Sequence, residues 1–275
     1  MTIAGRLVLV TGASSGIGAA TARAVARRGG RVLLLARRQS VLEEVANAIR
    51  SSGGEARVYG VDLADASAVA DTVRSLERDV GVPDVLVNNA GAGRWLWMEE
   101  TSPEEAVQMM ASPYFGAFNI TRAILPAMLR RRSGHIVNIT SPAGFVVWPG
   151  AVAYSVARWA MRGFSEALRA ELRGIGVRVT LFTSGLVSSP YFAHNPGGED
   201  RVPGIARLFR TLTPDEVAAA IVRAVERQPR EVIIPPLLKL TIRVHRVIPG
   251  PVEWAVLKTS AARTATASRQ PGSST

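Results

Sequence analysis

The chain has 275 residues and a mass of 29.3 kDa, the size of one large domain rather than two small ones. An apolar content of 47% and a mean hydropathy of +0.15 support a sizeable core and exclude wholesale disorder. Cysteine is absent, which excludes disulfide frameworks, thiol nucleophiles and cysteine-ligated metals; His135, His194 and His245 lie too far apart in sequence to suggest a metal pair, so no metal site is expected. The net charge of +11 comes almost wholly from arginine, since Lys239 and Lys258 are the only lysines. These arginines are scattered, as in Arg27-Arg28 and Arg130-Arg131-Arg132, and no nucleic-acid module accompanies them. Dispersed charge of this kind reads as solvated surface, and no nucleic-acid partner is expected.

In chain order, short β-branched and leucine-rich runs alternate with helical patterns. The first strand, Leu7–Thr11, runs into Gly12-Ala13-Ser14-Ser15-Gly16-Ile17-Gly18 and then a helix. Glycines there let the backbone turn sharply and approach a pyrophosphate seated on the helix N-terminus. A second strand over 32–36 ends in Ala36, followed by Arg37 and Arg38. An acidic residue at that place would bond a ribose 2′-hydroxyl; arginine instead suits a 2′-phosphate, with Arg37 the better placed. Ser40 with Glu43 has the capping-box spacing for the next helix start. Strands follow over 57–61, leading into Asp62-Leu63, and over Val85–Asn88, leading into Asn89-Ala90-Gly91.

Ser102 with Glu105 opens a helix with Pro103 at its first position, where a missing N–H costs little. The strand over 135–140 delivers Ser141, and Tyr154 opens a helix thirteen residues later. A strand over 177–183 leads into Gly185-Leu186-Val187-Ser188-Ser189. Thr213 with Glu216, again with proline at the first position, opens a helix before the last strand, Glu231–Ile234. The stretches 136–157 and 179–198 carry no charge, but Pro, Gly, Ser and Asn in their middles mark buried strands and site loops rather than membrane spans. Such alternation predicts a single α/β domain, a doubly wound parallel sheet of Rossmann type with about seven strands. The domain is expected over 1–250, with a disordered tail over 258–275.

The Gly-x-x-x-Gly-x-Gly turn after the first strand, Asp62-Leu63 after the third and Asn88-Asn89-Ala90-Gly91 after the fourth together resemble the short-chain dehydrogenase/reductase family from Ile3 to about Ile234. The resemblance implies a nicotinamide dinucleotide at the glycine turn; the arginines after strand two favour NADP(H), with NAD(H) as the alternative. It places the adenine at Asp62 and Leu63 and lines the cofactor with Asn89, Ala90, Gly91, Gly185, Val187 and Ser189. It also implies that Ser141 and Tyr154 bond a substrate carbonyl, the Tyr hydroxyl exchanging the proton that hydride transfer requires. A phenol titrates near 10 unaided, and the family assists it with a lysine one helical turn on.

Two positions depart from that pattern. Arg158 stands where the family has lysine: it keeps the charge and can orient the ribose, but passes a proton less readily. Pro113 stands where the family has an asparagine that holds a relay water, and Ser184 replaces a proline. Three readings follow. The enzyme works through a modified relay; or it binds cofactor but catalyses weakly, acting as a regulator or partner; or a neighbour such as Ser112 replaces the missing amide.

Trp95, Trp97, Phe145, Trp148, Tyr191 and Phe192 fall in loops expected to face substrate, which suits an apolar ligand bearing one carbonyl or hydroxyl. The Gly- and Pro-rich segment 197–209 reads as a closing lid. Over 237–248 a helix places Leu237, Leu240, Val244, Val247 and Ile248 on one face and Lys239, Arg243 and Arg246 on the other. A helix of that kind lies on an anionic membrane, packs on its own domain or joins a partner subunit. No secretory pattern opens the chain, so the expected place is the cytoplasm, with membrane association through 237–248 as the variant. Homo-oligomerisation, as dimer or tetramer, is implied by the resemblance.

Overall fold

A computed structural model describes residues 1–91, 93–189, 191, 195 and 197–262. Seven strands form one sheet: β1 (Leu7–Thr11), β2 (Arg31–Ala36), β3 (Glu55–Gly60), β4 (Val85–Asn88), β5 (Gly134–Thr140), β6 (Val177–Ser184) and β7 (Glu231–Ile234). Their order is β3-β2-β1-β4-β5-β6-β7, and every pairing is parallel. The expected doubly wound sheet of Rossmann type is therefore present.

Alternate strand residues serve opposite faces, which explains why the strands read as continuous apolar runs. Val8, Val10, Val32 and Leu34 point towards α1 (Gly16–Arg27), α2 (Gln39–Ser51) and α7 (Pro214–Arg227). Leu7, Leu9, Leu33 and Leu35 point towards α3 (Ala66–Val80), α5 (Gly116–Arg130) and α6 (Val152–Glu171). The capping boxes at Ser102 and Thr213 open α4 (Pro103–Met110) and α7 as expected, both with proline at the start. The box at Ser40 does not form. Helix α2 already begins at Gln39, after only two residues beyond β2, so Ser40 lies inside the first turn and Glu43 pairs instead with Arg50 at 3.1 Å. Asp65, unremarked in the sequence, caps α3 by accepting from the Ser67 and Ala68 N–H groups, each at 2.9 Å.

Between α4 and α5 the chain makes a π turn over Ala111–Phe115 with Pro113, buried, at its centre. Proline offers no N–H to the preceding turn, and the wider turn absorbs that loss. Beyond β7 come two helices rather than one, α8 (Pro236–Val247) and α9 (Pro249–Thr259). The ordered domain thus continues past 250, and Lys258 and Thr259 are helical rather than part of a tail; 263–275 lie outside the described residues.

Candidate active site

The strand order reverses direction between β1 and β4, and a cavity of about 1280 Å³ opens over the strand ends there. That is where parallel open sheets place their ligands. The glycine turn forms its floor: Gly12, Ser14, Ser15, Gly16 and Ile17 line it. Gly12 has φ +64°, and a Cβ on it would stand 2.8 Å from the Ala90 Cα. Gly18 does not line the cavity; it lies beneath the turn, where a Cβ would be 2.2 Å from the Gly12 carbonyl oxygen. Its role is close packing of helix on loop. Helix α1 begins with no side-chain cap and no acidic residue in its first turn, so its N–H dipoles face the cavity unopposed.

The turn is held in place by Thr11, whose hydroxyl accepts from the backbone N–H groups of Asn89 and Ala90, each at 3.0 Å. Asn89 Nδ2 donates back to the Thr11 carbonyl at 3.0 Å. Beneath them Asn88 Nδ2 donates to Asn138 Oδ1 at 2.8 Å and Thr121 Oγ1 at 3.1 Å, and Asn138 Nδ2 donates to Ser165 Oγ at 2.9 Å. This buried polar network ties β4, β5, α5 and α6 together below the site. Asn138, Thr121 and Ser165 carried no motif signal, because single polar residues inside apolar runs reveal their partners only on folding.

Arg37, Arg38, Asp62, Leu63, Ala90 and Gly91 also line the cavity, and so do Gly185, Val187 and Ser189 from the loop after β6. Among the described residues neither Arg37 nor Arg38 makes an ion pair. Asp62 turns its carboxylate onto the Ala64 N–H at 3.0 Å. The loop after β6 is fixed by a bridge between Val187 and Leu212 and by the Gly185 N–H donating to the Ile234 carbonyl at 2.9 Å.

Ser141, Tyr154 and Arg158 share one wall. Ser141 follows β5 and its hydroxyl accepts from the Ala143 N–H at 3.3 Å. Tyr154 and Arg158 are one turn apart on α6, both buried, with the guanidinium carbon 4.8 Å from the centre of the Tyr ring. The Arg158 Nε has no hydrogen-bond partner, and no carboxylate pairs with the group among the described residues. Two glycines make room for this pair. A Cβ on Gly91 would come within 3.0 Å of Arg158 Nη1, and one on Gly93 within 2.7 Å of Tyr154 Cδ2. Ser112, beside Pro113, also reaches the cavity.

The side of the cavity expected to face substrate is aromatic. Trp95 stacks edge-on to Trp148 at 5.2 Å and lies 5.6 Å from Tyr154, whose ring is 6.4 Å from Tyr191. The Tyr191 hydroxyl donates to the Gly93 carbonyl at 2.6 Å; burial, with Tyr154 alongside, pushes this phenol up. Phe145 and Trp97 do not face the cavity. Phe145 is buried in the core beneath the Arg162 and Arg246 guanidinium groups, and Trp97 packs with Arg201. Phe192 lies outside the described residues.

The segment expected as a lid lies over the cavity, with Val202, Pro203, Ile205, Ala206 and Phe209 on its wall. Arg201 anchors it through Glu100 at 2.8 Å and the Trp95 carbonyl. Leu238, Thr241 and Ile242 of α8 and Val252 and Val256 of α9 complete the enclosure. None of these wall residues was marked in the sequence, since the inward face of α8 is set by packing. Among the described residues no cluster of His, Asp or Glu could hold a metal, and no helix is long and apolar enough to cross a membrane.

Residues 6–199 match the family described as short chain dehydrogenase. An uncharacterized oxidoreductase of Mycobacterium bovis is 37% identical over 238 residues, 85% of this chain and 67% of that protein. The 17-beta-hydroxysteroid dehydrogenase 13 of Rattus norvegicus is 33% identical over 255 residues, 93% of this chain and 83% of that one. A metagenomic short-chain oxidoreductase solved in complex with NADP superposes with a TM-score of 0.72 at 32% identity, over 86% of this chain and 99% of that one. Sequence, sheet order and site therefore converge: the chain belongs to the short-chain dehydrogenase/reductase family and is an oxidoreductase of that type.

Proposed function

We propose that the protein interconverts an apolar ketone or aldehyde and its alcohol with NADP(H). The observation that carries this reading is the buried Tyr154–Arg158 pair on the cavity wall, with a guanidinium that has no carboxylate partner. A buried cation without a counter-charge is costly, and a polar ligand entering the cavity would relieve it.

The residues present fit a nicotinamide dinucleotide. The open N-terminus of α1 and the turn of Gly12, Ser14, Ser15, Gly16 and Ile17 would take its diphosphate, in a cradle that a Cβ at Gly12 would fill. Arg37, exposed and unpaired among the described residues, would hold a 2′-phosphate, with Arg38 beside it. Asp62 and Leu63 would flank the adenine; Asn89, Ala90, Gly91, Gly185, Val187 and Ser189 would line the rest. When bound, the cofactor supplies or accepts the hydride.

In the reducing direction Ser141 Oγ donates a hydrogen bond to the substrate oxygen, and the Tyr154 hydroxyl gives its proton to the alkoxide that hydride addition leaves there. The positive charge of Arg158 offsets the charge then left on the phenol oxygen and orients the ribose. In the oxidising direction the same hydroxyl, deprotonated, takes the proton back. Trp95, Trp148 and the apolar wall from α8 and α9 exclude water and favour an apolar substrate; the similarity to a hydroxysteroid dehydrogenase supports that class. We further infer a homo-oligomer in the cytoplasm.

The π turn at Pro113, which supplies no amide, favours a second reading: a cofactor-binding protein of the same fold with weak catalysis, acting as a regulator or partner. Fluorescence titration with NADPH, combined with turnover on a panel of apolar ketones, decides between them. Binding with turnover supports the enzyme; tight binding without turnover on any ketone supports the second reading; no binding overturns both.

A further inference from the structure

Helix α8 is apolar on two sides, and only one of them is used. Its inner side, Leu238 and Ile242, is buried and walls the cavity. Its other stripe, Leu237, Leu240, Val244 and Val247 with Ile248 just beyond, is 41% to 79% exposed. This is the stripe singled out in the sequence, and the described residues of its own domain leave it exposed. Helix α9 repeats the arrangement: Val252 and Val256 face inwards, while Trp254 and Leu257 are exposed, with the Lys258 ammonium 4.6 Å from the Trp254 ring centre.

Charge distinguishes among the occupants such a face could have. From 236 to the last residue the chain carries six Lys and Arg, both of its lysines among them, against the single acid Glu253. The side opposite the stripe is the inward one, Leu238 and Ile242, so Lys239 and Arg243 lie between the two apolar sides and border the stripe rather than oppose it as expected. Arg246 is held by Glu231 and Glu253 by His245, and Lys239 and Arg243 make no ion pairs among the described residues. A second copy meeting this face about a two-fold axis would set those cations against their own equivalents. An anionic bilayer neutralises them, accepts the apolar stripe at headgroup depth and matches a tryptophan–lysine pair at the interface.

We propose that α8 and α9 dock the protein on an anionic lipid surface through Leu237, Leu240, Val244, Val247 and Trp254. If the reading of an apolar carbonyl substrate holds, the same two helices stand between lipid and cavity, and the substrate passes from bilayer to active site beside them.

The test is co-sedimentation of the full chain with phosphatidylcholine vesicles, with and without phosphatidylserine, in the absence of cofactor and substrate. The expected result is binding to the anionic vesicles alone, weakening as salt rises. Neutralising Lys239→Gln together with Arg243→Gln lowers partitioning about thirtyfold, the factor given by two charges at about 1 kcal/mol each. Leu240→Asp with Val244→Asp abolishes binding, whereas Met98→Asp, at an exposed apolar position elsewhere, leaves it intact. Circular dichroism of each variant checks that it is folded. A wild-type protein that stays in the supernatant, or an α8 pair that binds as well as wild type, overturns the proposal. So does a fall in oligomeric size of the α8 pair by analytical ultracentrifugation without any vesicle binding, which would make this face an interface between copies. Because sedimentation needs no catalysis, its failure is distinct from failure of the oxidoreductase reading.

Discussion

In the proposed mechanism Arg158 is the residue on which the chemistry turns. Its side chain is buried against the Tyr154 ring, and Gly91, where a Cβ would crowd Nη1, leaves it that room. What it keeps from the expected lysine is the charge; what it gives up is ready proton exchange. On that basis Arg158→Leu lowers kcat by about a hundredfold or more, whereas Arg158→Lys changes it by less than about tenfold with NADPH affinity unaltered. A much larger gain in Arg158→Lys at the same affinity would show an impaired natural relay and favour the weakly catalytic reading. Arg37 is tested by cofactor choice. Arg37→Asp weakens NADPH binding by about tenfold to a hundredfold, the worth of a charge-assisted pair, and leaves NADH nearly unchanged. Equal losses for the two cofactors would contradict the assignment.

At the level of single elements, β5 carries both the site and a pH sensitivity. It delivers Ser141 at its end, and in its middle it buries His135, whose Nε2 lies 2.8 Å from Thr180 Oγ1. Because Thr180 already donates its hydroxyl proton to the Pro229 carbonyl at 2.5 Å, the imidazole donates from Nε2. Burial first, then the N-terminal ammonium and Arg178, lower its pKa from 6.5 to about 4. The unfolded chain therefore binds the extra proton between those values, and the folded chain does not. Stability is full above about 6.5 and falls as pH drops towards 4, by about 3 kcal/mol from this group. Urea denaturation across that window shows the decline, and His135→Gln flattens it; an undiminished slope in the variant would contradict the account.

The elements also show what the sequence could and could not reveal. Strands β1, β2 and β4 were legible because each is covered on both faces, so their apolar runs are nearly unbroken, whereas the edge strand β3 exposes Glu55 and Arg57. Helix starts were legible where Ser102 and Thr213 have both a box partner and a following proline. Ser40 has the box spacing alone, and the two-residue exit from β2 starts the helix before it. Helix α9 was missed for a related reason: it opens on Pro249-Gly250-Pro251, which reads as a breaker, yet those residues occupy the first turn, where unpaired N–H groups are expected anyway.

Across the whole molecule, the residues placed at the site came from motifs next to strand ends, and the fold brings those ends together along one edge of the sheet. Of the expected cofactor and catalytic residues, Gly18 alone misses the cavity, sitting under the turn rather than in it. The far side of the cavity was legible only in part. The segment 197–209 was read as a lid from its Gly and Pro content, but the walls from α8 and α9 reach the cavity only through tertiary packing, as where the Ile205 N–H donates to Thr259 Oγ1 at 3.1 Å. Trp97 and Phe145 were misread for the complementary reason, since an aromatic residue in a site loop serves equally well as packing beneath an arginine. The surplus of +11 divides along the same lines: Arg37 and Arg38 at the cavity rim, Arg158 within it, Lys239 and Arg243 beside the exposed stripe, and scattered surface charge elsewhere.

The central claim is that the Tyr154 hydroxyl exchanges the proton that accompanies hydride transfer. Its most direct test is stopped-flow observation of NADPH oxidation on mixing with an apolar ketone, comparing wild type with Tyr154→Phe. The account predicts that the variant binds NADPH as wild type does and loses at least about a hundredfold in the rate of oxidation. Oxidation at the wild-type rate in Tyr154→Phe would contradict it.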